Sequence, residues 1–165
     1  NPMHSETDLG PLANPSCKIH LDSILRDAIK KGAKIHYGQD VPKGKGHFFR
    51  PAIVTKVSQD MKIFQDECFG PLVPIMRVGS HQKIIEVTNS SQYGLGAMIW
   101  TKNKNKGLKI SKELEVGTVV INGIVRSDPR LPFGGVKKSG LGRELSKEGI
   151  KEFVNIKTII VGGRK

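Results

Sequence analysis

From Leu72 to Asn122 short β-forming runs alternate with amphipathic ones, and this alternation is the strongest constraint on the fold. Strands that alternate with helices pair through crossovers, which places the chain in the α/β class. Leu72 to Val78 reads as a strand and His81 to Ser91 as a helix. Ser80 is its N-cap, and Ile84, Ile85 and Val87 lie on its apolar side. Ala97 to Thr101 reads as a strand, 105–115 as a helix, and Gly117 to Asn122 as a buried strand. The expected architecture is a largely parallel sheet with flanking helices and right-handed crossovers.

The flanking segments extend this pattern. Residues 1–14 are polar and irregular. From Pro15 to Lys31 the residues Ile19, Leu21, Ile24, Leu25, Ala28 and Ile29 recur at helical spacing, with Gly32 placed to end the helix. Residues 34–37 form a short strand candidate and 38–47 a Gly/Lys/Pro loop. Phe48 to Val57 reads as an edge strand or an extended segment, because Pro51 cannot donate to a ladder. A Gly/Pro-rich loop covers Gly123 to Gly142, a short helix 143–148, and a terminal strand 152–161. The expected division is a body over 1–151 and a terminal strand and tail over 152–165.

Composition removes several classes of function. The 165 residues are 37% hydrophobic and 25% charged, within the range of folded soluble domains. No window approaches the roughly 18 apolar residues of a membrane helix, so no membrane association is expected. Cys17 and Cys68 are too few for a disulfide framework, which fits a reducing cytoplasmic setting. Asn1 in place of methionine raises the expectation that these residues belong to a longer chain. The net charge of +12 attracts polyanions in general. Its densest cluster, Lys102, Lys104, Lys106, Lys109 and Lys112, lacks interleaved aromatics for stacking bases. No specific nucleic-acid partner follows from it.

Two segments are candidates for chemistry. Asp66-Glu67-Cys68-Phe69-Gly70-Pro71 places a carboxylate, a thiol and an aromatic ring ahead of a strand, where α/β proteins bind ligands. The plainer reading makes Glu67 a solvated turn residue and Phe69 a core anchor. Cys68 has no neighbouring His, Lys or helix start to activate it. Pro132 to Glu144 is rich in glycine but lacks the Walker and GxGxxG patterns, so it reads as a tightly packed loop rather than a phosphate cradle. The five histidines have no metal-ligand spacing and no serine lies in a GxSxG elbow.

Four motifs together carry a resemblance: Asp66-Glu-Cys-Phe-Gly-Pro71, Asn89-Ser-Ser-Gln-Tyr-Gly-Leu95, Gly117-Thr-Val-Val-Ile-Asn-Gly123 and Pro132-Phe-Gly-Gly-Val-Lys-Lys-Ser-Gly-Leu-Gly-Arg-Glu144. In that order and spacing they resemble the C-terminal part of the aldehyde dehydrogenase superfamily. The loop Asn122 to Phe133 looks most like the succinate-semialdehyde dehydrogenase branch. The resemblance implies NAD or NADP as cofactor, succinic semialdehyde as substrate, and a homo-oligomer paired through the terminal strand. It implies that Glu67 hydrogen-bonds the nicotinamide ribose and that Phe69 contacts the nicotinamide side of the site. It also implies that Ser127 helps hold a substrate carboxylate, with Arg126 a second anion contact by proximity, and that Phe133 lies near the substrate tunnel.

The family's nucleophilic cysteine, general-base glutamate and dinucleotide-binding fold precede the matched region. No catalytic residue and no metal ligand is therefore assigned in this chain, and Cys68 stands where the family usually has an aliphatic residue or threonine. The expected partner is the missing N-terminal portion of the enzyme. The alternative is a stand-alone basic α/β module that binds nucleic acid or a regulatory partner.

Overall fold

The computed structural model describes residues 2–38, 40–41 and 46–163. Parts of the expected 38–47 loop and the last two residues of the 152–165 tail fall outside them. The chain divides into two units, Asn1–Gly79 and Ser80–Lys165.

In the first unit, helix α1 spans Pro15–Lys30. Asn14 caps it, accepting from the Cys17 N–H at 2.9 Å, and Pro15 occupies the first turn, where a missing N–H costs nothing. The helix ends in a Schellman arrangement. Gly32, at φ 89°, donates to the Ile29 carbonyl, and Ala33 donates to that of Ala28. Strands β1 (Lys34–Tyr37), β2 (Ala52–Thr55) and β3 (Leu72–Pro74) form one sheet in that order, β1–β2 antiparallel and β2–β3 parallel. A single helical turn, α2 (Lys62–Gln65), precedes β3.

Leu21, Ile24, Leu25 and Ala28 form the buried stripe of α1 and pack with Ala52, Val54 and Leu72 of the sheet. Leu21, Ile24 and Val54 are the largest fully buried side chains, each stabilising by about 1.5–3 kcal/mol. Ile19 and Ile29, expected on the same face, are exposed. At 100° per residue Ile29 is rotated well away from Ala28, outside the stripe. Pro51 also corrects an expectation. β2 is the central strand, not an edge, because Pro51 lies just before it and uses only its carbonyl, which accepts from the Gly38 N–H at 2.7 Å.

In the second unit, α3 (His81–Asn89) begins at Ser80, whose hydroxyl accepts from the Lys83 N–H. Strands β5 (Gly96–Ile99) and β6 (Thr118–Ile121) pair in parallel through α4 (Lys104–Glu113), a βαβ unit. β4 (Tyr93–Gly94) pairs antiparallel with β7 (Val136–Lys137), and α5 spans Ser146–Lys151. Among the described residues the expected largely parallel sheet is replaced by three small sheets holding four ladders, two parallel and two antiparallel, with β3 belonging to the first unit.

Two further expectations change. The short helix expected at 143–148 starts at Ser146, because Glu144 is held in a backbone bridge with Phe133. Residues 152–161, expected to pair outside their own domain, form no ladder among the described residues and are exposed throughout. No helix of the described residues is long and apolar enough to cross a membrane.

Two stability predictions follow from this packing. A methyl group on Gly117 would lie 1.7 Å from the Gly134 carbonyl oxygen, whereas one on Gly79 meets nothing within 4 Å. Gly117→Ala should destabilise the second unit by about 3 kcal/mol or more, and Gly79→Ala by less than about 0.5 kcal/mol. Urea unfolding followed by the fluorescence of Trp100 reads the difference.

In the first unit the Asp27 carboxylate accepts from the Lys62 N–H at 2.8 Å, capping α2 from α1. That hydrogen bond, aided by Lys31, holds its carboxyl below the ordinary value of 3.8. A lowered native value stabilises the fold above the ordinary value, and the contribution is lost as pH falls through the native one. Asp27→Asn should therefore lower the melting temperature at pH 7, and its difference from the unsubstituted chain should close in strongly acidic buffer.

Candidate functional site

The loop between α2 and β3 is held by its own backbone. The Asp66 N–H donates to the Lys62 carbonyl, Gly70 to Cys68, and Leu72 to Gly70. Gly70 lies against Leu21, where a β-carbon would come within 2.3 Å of Leu21 Cδ1. In this frame consecutive side chains diverge. Cys68 turns inward and packs against the core, while Glu67 and Phe69 turn outward. Phe69 is 70% exposed, so it is not a core anchor.

The surroundings of Cys68 favour the thiol over the thiolate. Burial pushes its thiol up, and the negative charge of Asp66 pushes it further. The thiol, with Sγ 3.9 Å from the Asp66 carbonyl, stays protonated at neutral pH.

In the second unit, the loop after β6 starts at Asn122, which has φ 55°. Its amide clamps Thr101 from both sides, accepting from the Thr101 N–H and donating to the Thr101 carbonyl, each at 2.8 Å. Arg126 and Ser127 follow, both exposed. Directly after them, Asp128 takes Arg130 in a fork: Nε to Oδ1 at 2.9 Å and Nη2 to Oδ2 at 2.6 Å, with the Arg130 N–H also on Oδ1. These bonds hold the Asp128 carboxyl below the usual range. The fork ties up Arg130 and leaves Arg126 as the guanidinium beside Ser127. Neither Asp128 nor Arg130 was legible as a pair, although their spacing of two within a Pro-containing turn is the signal that marks it.

Phe133 is half-buried and exchanges two backbone hydrogen bonds with Glu144, at 2.8 and 2.7 Å. It lines a cavity of about 330 Å³ with Leu95, Phe153 and the 134–144 segment. The cations of the Gly-rich segment are spent on the protein. Arg143 donates to the Gly135 and Gly142 carbonyls, and Lys137 donates to the Asn89 and Ser91 carbonyls and pairs with Glu115 at 2.8 Å. Its glycines serve close packing, as at Gly117 on Gly134. It is therefore no phosphate cradle. Asn89, which opens the second of the four motifs without an assigned role of its own, joins α3 to the end of α4 by bonding the Glu113 carbonyl and the Glu115 N–H. No group of three or more His, Cys, Asp or Glu side chains among the described residues could hold a metal.

The structure thus brings Glu67 and Phe69 together in the first unit, and Arg126, Ser127 and Phe133 into one loop of the second. A model of the aldehyde dehydrogenase family matches residues 1–159. The chain is 41% identical over 159 residues to an aldehyde dehydrogenase of Paenarthrobacter nicotinovorans, covering 96% of this chain and 35% of the relative. It is 38% identical over 162 residues to succinate-semialdehyde dehydrogenase [NADP(+)] 1 of Mycobacterium ulcerans, covering 98% of this chain and 35% of that protein. The solved structure of succinic semialdehyde dehydrogenase from Streptococcus pyogenes with NADP+ is similar at a TM-score of 0.91 and 38% identity. That match covers 98% of this chain and 36% of the solved one. The chain therefore spans about a third of the length of the relatives it matches, and it belongs to the aldehyde dehydrogenase family.

Proposed function

We propose that this chain is the C-terminal part of an NAD(P)-dependent aldehyde dehydrogenase that oxidises succinic semialdehyde to succinate. The observation that carries the reading is the family match over 1–159 combined with the outward pairing of Glu67 and Phe69 on one loop. The names of the mycobacterial and streptococcal relatives favour NADP+ as acceptor and succinic semialdehyde as substrate.

The exposed residues suit these ligands. Glu67 has both carboxylate oxygens free among the described residues, and two acceptors match the two hydroxyls of a ribose. Phe69 offers an apolar face for the adjoining ring. When bound, the nicotinamide supplies the hydride acceptor. Arg126 and Ser127 together offer a cation and a hydroxyl donor, which replace the water that an aldehyde's distal carboxylate gives up. Phe133 walls the approach to them.

In this reading the nucleophilic thiolate, the general base and the dinucleotide-binding fold belong to a portion of the enzyme preceding these residues. The isolated chain is then inactive, since the protonated Cys68 is no substitute. The segment 152–161 exposes Phe153, Ile156, Ile159 and Ile160 and pairs with a second copy of the enzyme, closing an edge that the single chain leaves open. The setting is cytoplasmic.

Two substitutions in the complete enzyme test the site. Glu67→Gln retains one acceptor and loses the charge, and turnover should fall about ten-fold or more, equivalent to about 1.4 kcal/mol. Unchanged cofactor and turnover constants would remove Glu67 from the site. Ser127→Ala should raise the KM for succinic semialdehyde more than for butanal, since a bond to a charged group contributes about 1.5–3 kcal/mol. Equal effects on both aldehydes would remove the carboxylate assignment.

A further inference from the structure

The face of the β1–β2–β3 sheet turned away from α1 carries a cationic hollow that the proposed chemistry does not use. Side chains alternate along a strand, and Lys34 pairs with Thr55 across the β1–β2 ladder. Lys34 and His36 therefore share a face with Thr55, opposite the face that buries Ala52 and Val54. Lys56 ends β2 with φ 57°. The Ile75 N–H continues the β3 ladder to the Val54 carbonyl at 2.8 Å, which carries the same alternation on to Arg77. Lys34, His36, Thr55, Lys56 and Arg77 line one cavity of about 660 Å³, with Val57 and Ile75 as its apolar wall.

Among the described residues no negative group faces this charge. No carboxylate lines it, and among the described residues none of Lys34, Lys56 or Arg77 forms an ion pair. Elsewhere in the unit Lys31 meets Asp27 and Asp60, and Arg50 meets Asp40. The polar groups are also ordered. The Thr55 hydroxyl donates to the Lys34 carbonyl, so the His36 Nε2, 3.0 Å away, is assigned as donor to Thr55 Oγ1. Three like charges around one hollow repel each other, and an anion of two or more charges relieves that repulsion. Arg77 suits it further, because a guanidinium fork matches phosphoryl oxygens. The volume is that of a small-molecule site.

We infer that this hollow binds a small organic phosphate, with the phosphoryl group on Lys34, Lys56 and Arg77 and its organic part against Val57 and Ile75. The inference does not rest on the proposed activity. Two sources share this chemistry: the phosphate of a nucleotide cofactor and a separate phosphorylated compound.

The test is a titration of the complete enzyme, isotopically labelled over these 165 residues, with inorganic pyrophosphate, followed by amide resonances against sodium chloride at matched ionic strength. Saturable shifts confined to residues 34–36, 55–57 and 75–77 are expected. Lys34→Ala and Arg77→Ala should each weaken binding about ten-fold, the loss of one charge-assisted contact. Lys109→Ala on α4 should change it less than about two-fold. Displacement of pyrophosphate by NADP+ would uphold the site and assign its phosphate to the cofactor, whereas failure of NADP+ to displace it would uphold the site for a separate phosphorylated compound. The absence of saturable shifts in the unsubstituted chain would overturn the proposal. So would equal shifts along Lys102 to Lys112, because the binding would then follow net charge alone.

Discussion

Leu21 sits against the backbone of Gly70 at a distance that no β-carbon allows, and the geometry of the 66–71 loop depends on that contact. Leu21 is fixed because α1 is capped at both ends and its stripe is buried on the sheet. Gly70 then anchors the two tight turns that send Cys68 inward and leave Glu67 and Phe69 outside. The inward turn has a chemical consequence, since burial holds the thiol protonated while its two neighbours remain available to a ligand. Substituents at the site are thus selected by packing several residues away from it.

The second unit reaches the same end by different means. It has little fully buried apolar surface of its own, and polar side chains join its loops to its ladders through backbone groups. Asn89 ties α3 to α4, Asn122 ties β6 to the end of β5, and Lys137 joins three chain segments at once. Each satisfies a carbonyl or N–H that a loop would otherwise leave to water. The loop carrying Arg126 and Ser127 is bounded by two such devices, the Asn122 clamp and the Asp128–Arg130 fork.

The features legible in the sequence are those fixed by near neighbours. The spacing of Leu21, Ile24, Leu25 and Ala28 defines α1, and Ser80 defines the start of α3, because helical period and capping act over four residues. The features that escaped depend on distant partners. Pro51 was read as an edge signal, yet the proline lies outside the ladder and β2 is central. The start of α5 moved because Phe133 claims the backbone of Glu144. The candidate site divides likewise. Glu67, Phe69, Ser127 and Phe133 came from a resemblance in motifs, whereas the Asp128–Arg130 fork and the inward turn of Cys68 became visible only in three dimensions.

The central claim is that this chain contributes ribose and carboxylate contacts to an aldehyde dehydrogenase and not its nucleophile. Its most direct test is NADP+ reduction with succinic semialdehyde by the purified 165-residue chain, alone and after co-expression with the preceding portion of the enzyme. The account predicts no reduction by the chain alone, with or without Cys68→Ser, and recovered reduction on co-expression. Reduction by the chain alone that Cys68→Ser abolishes would contradict it.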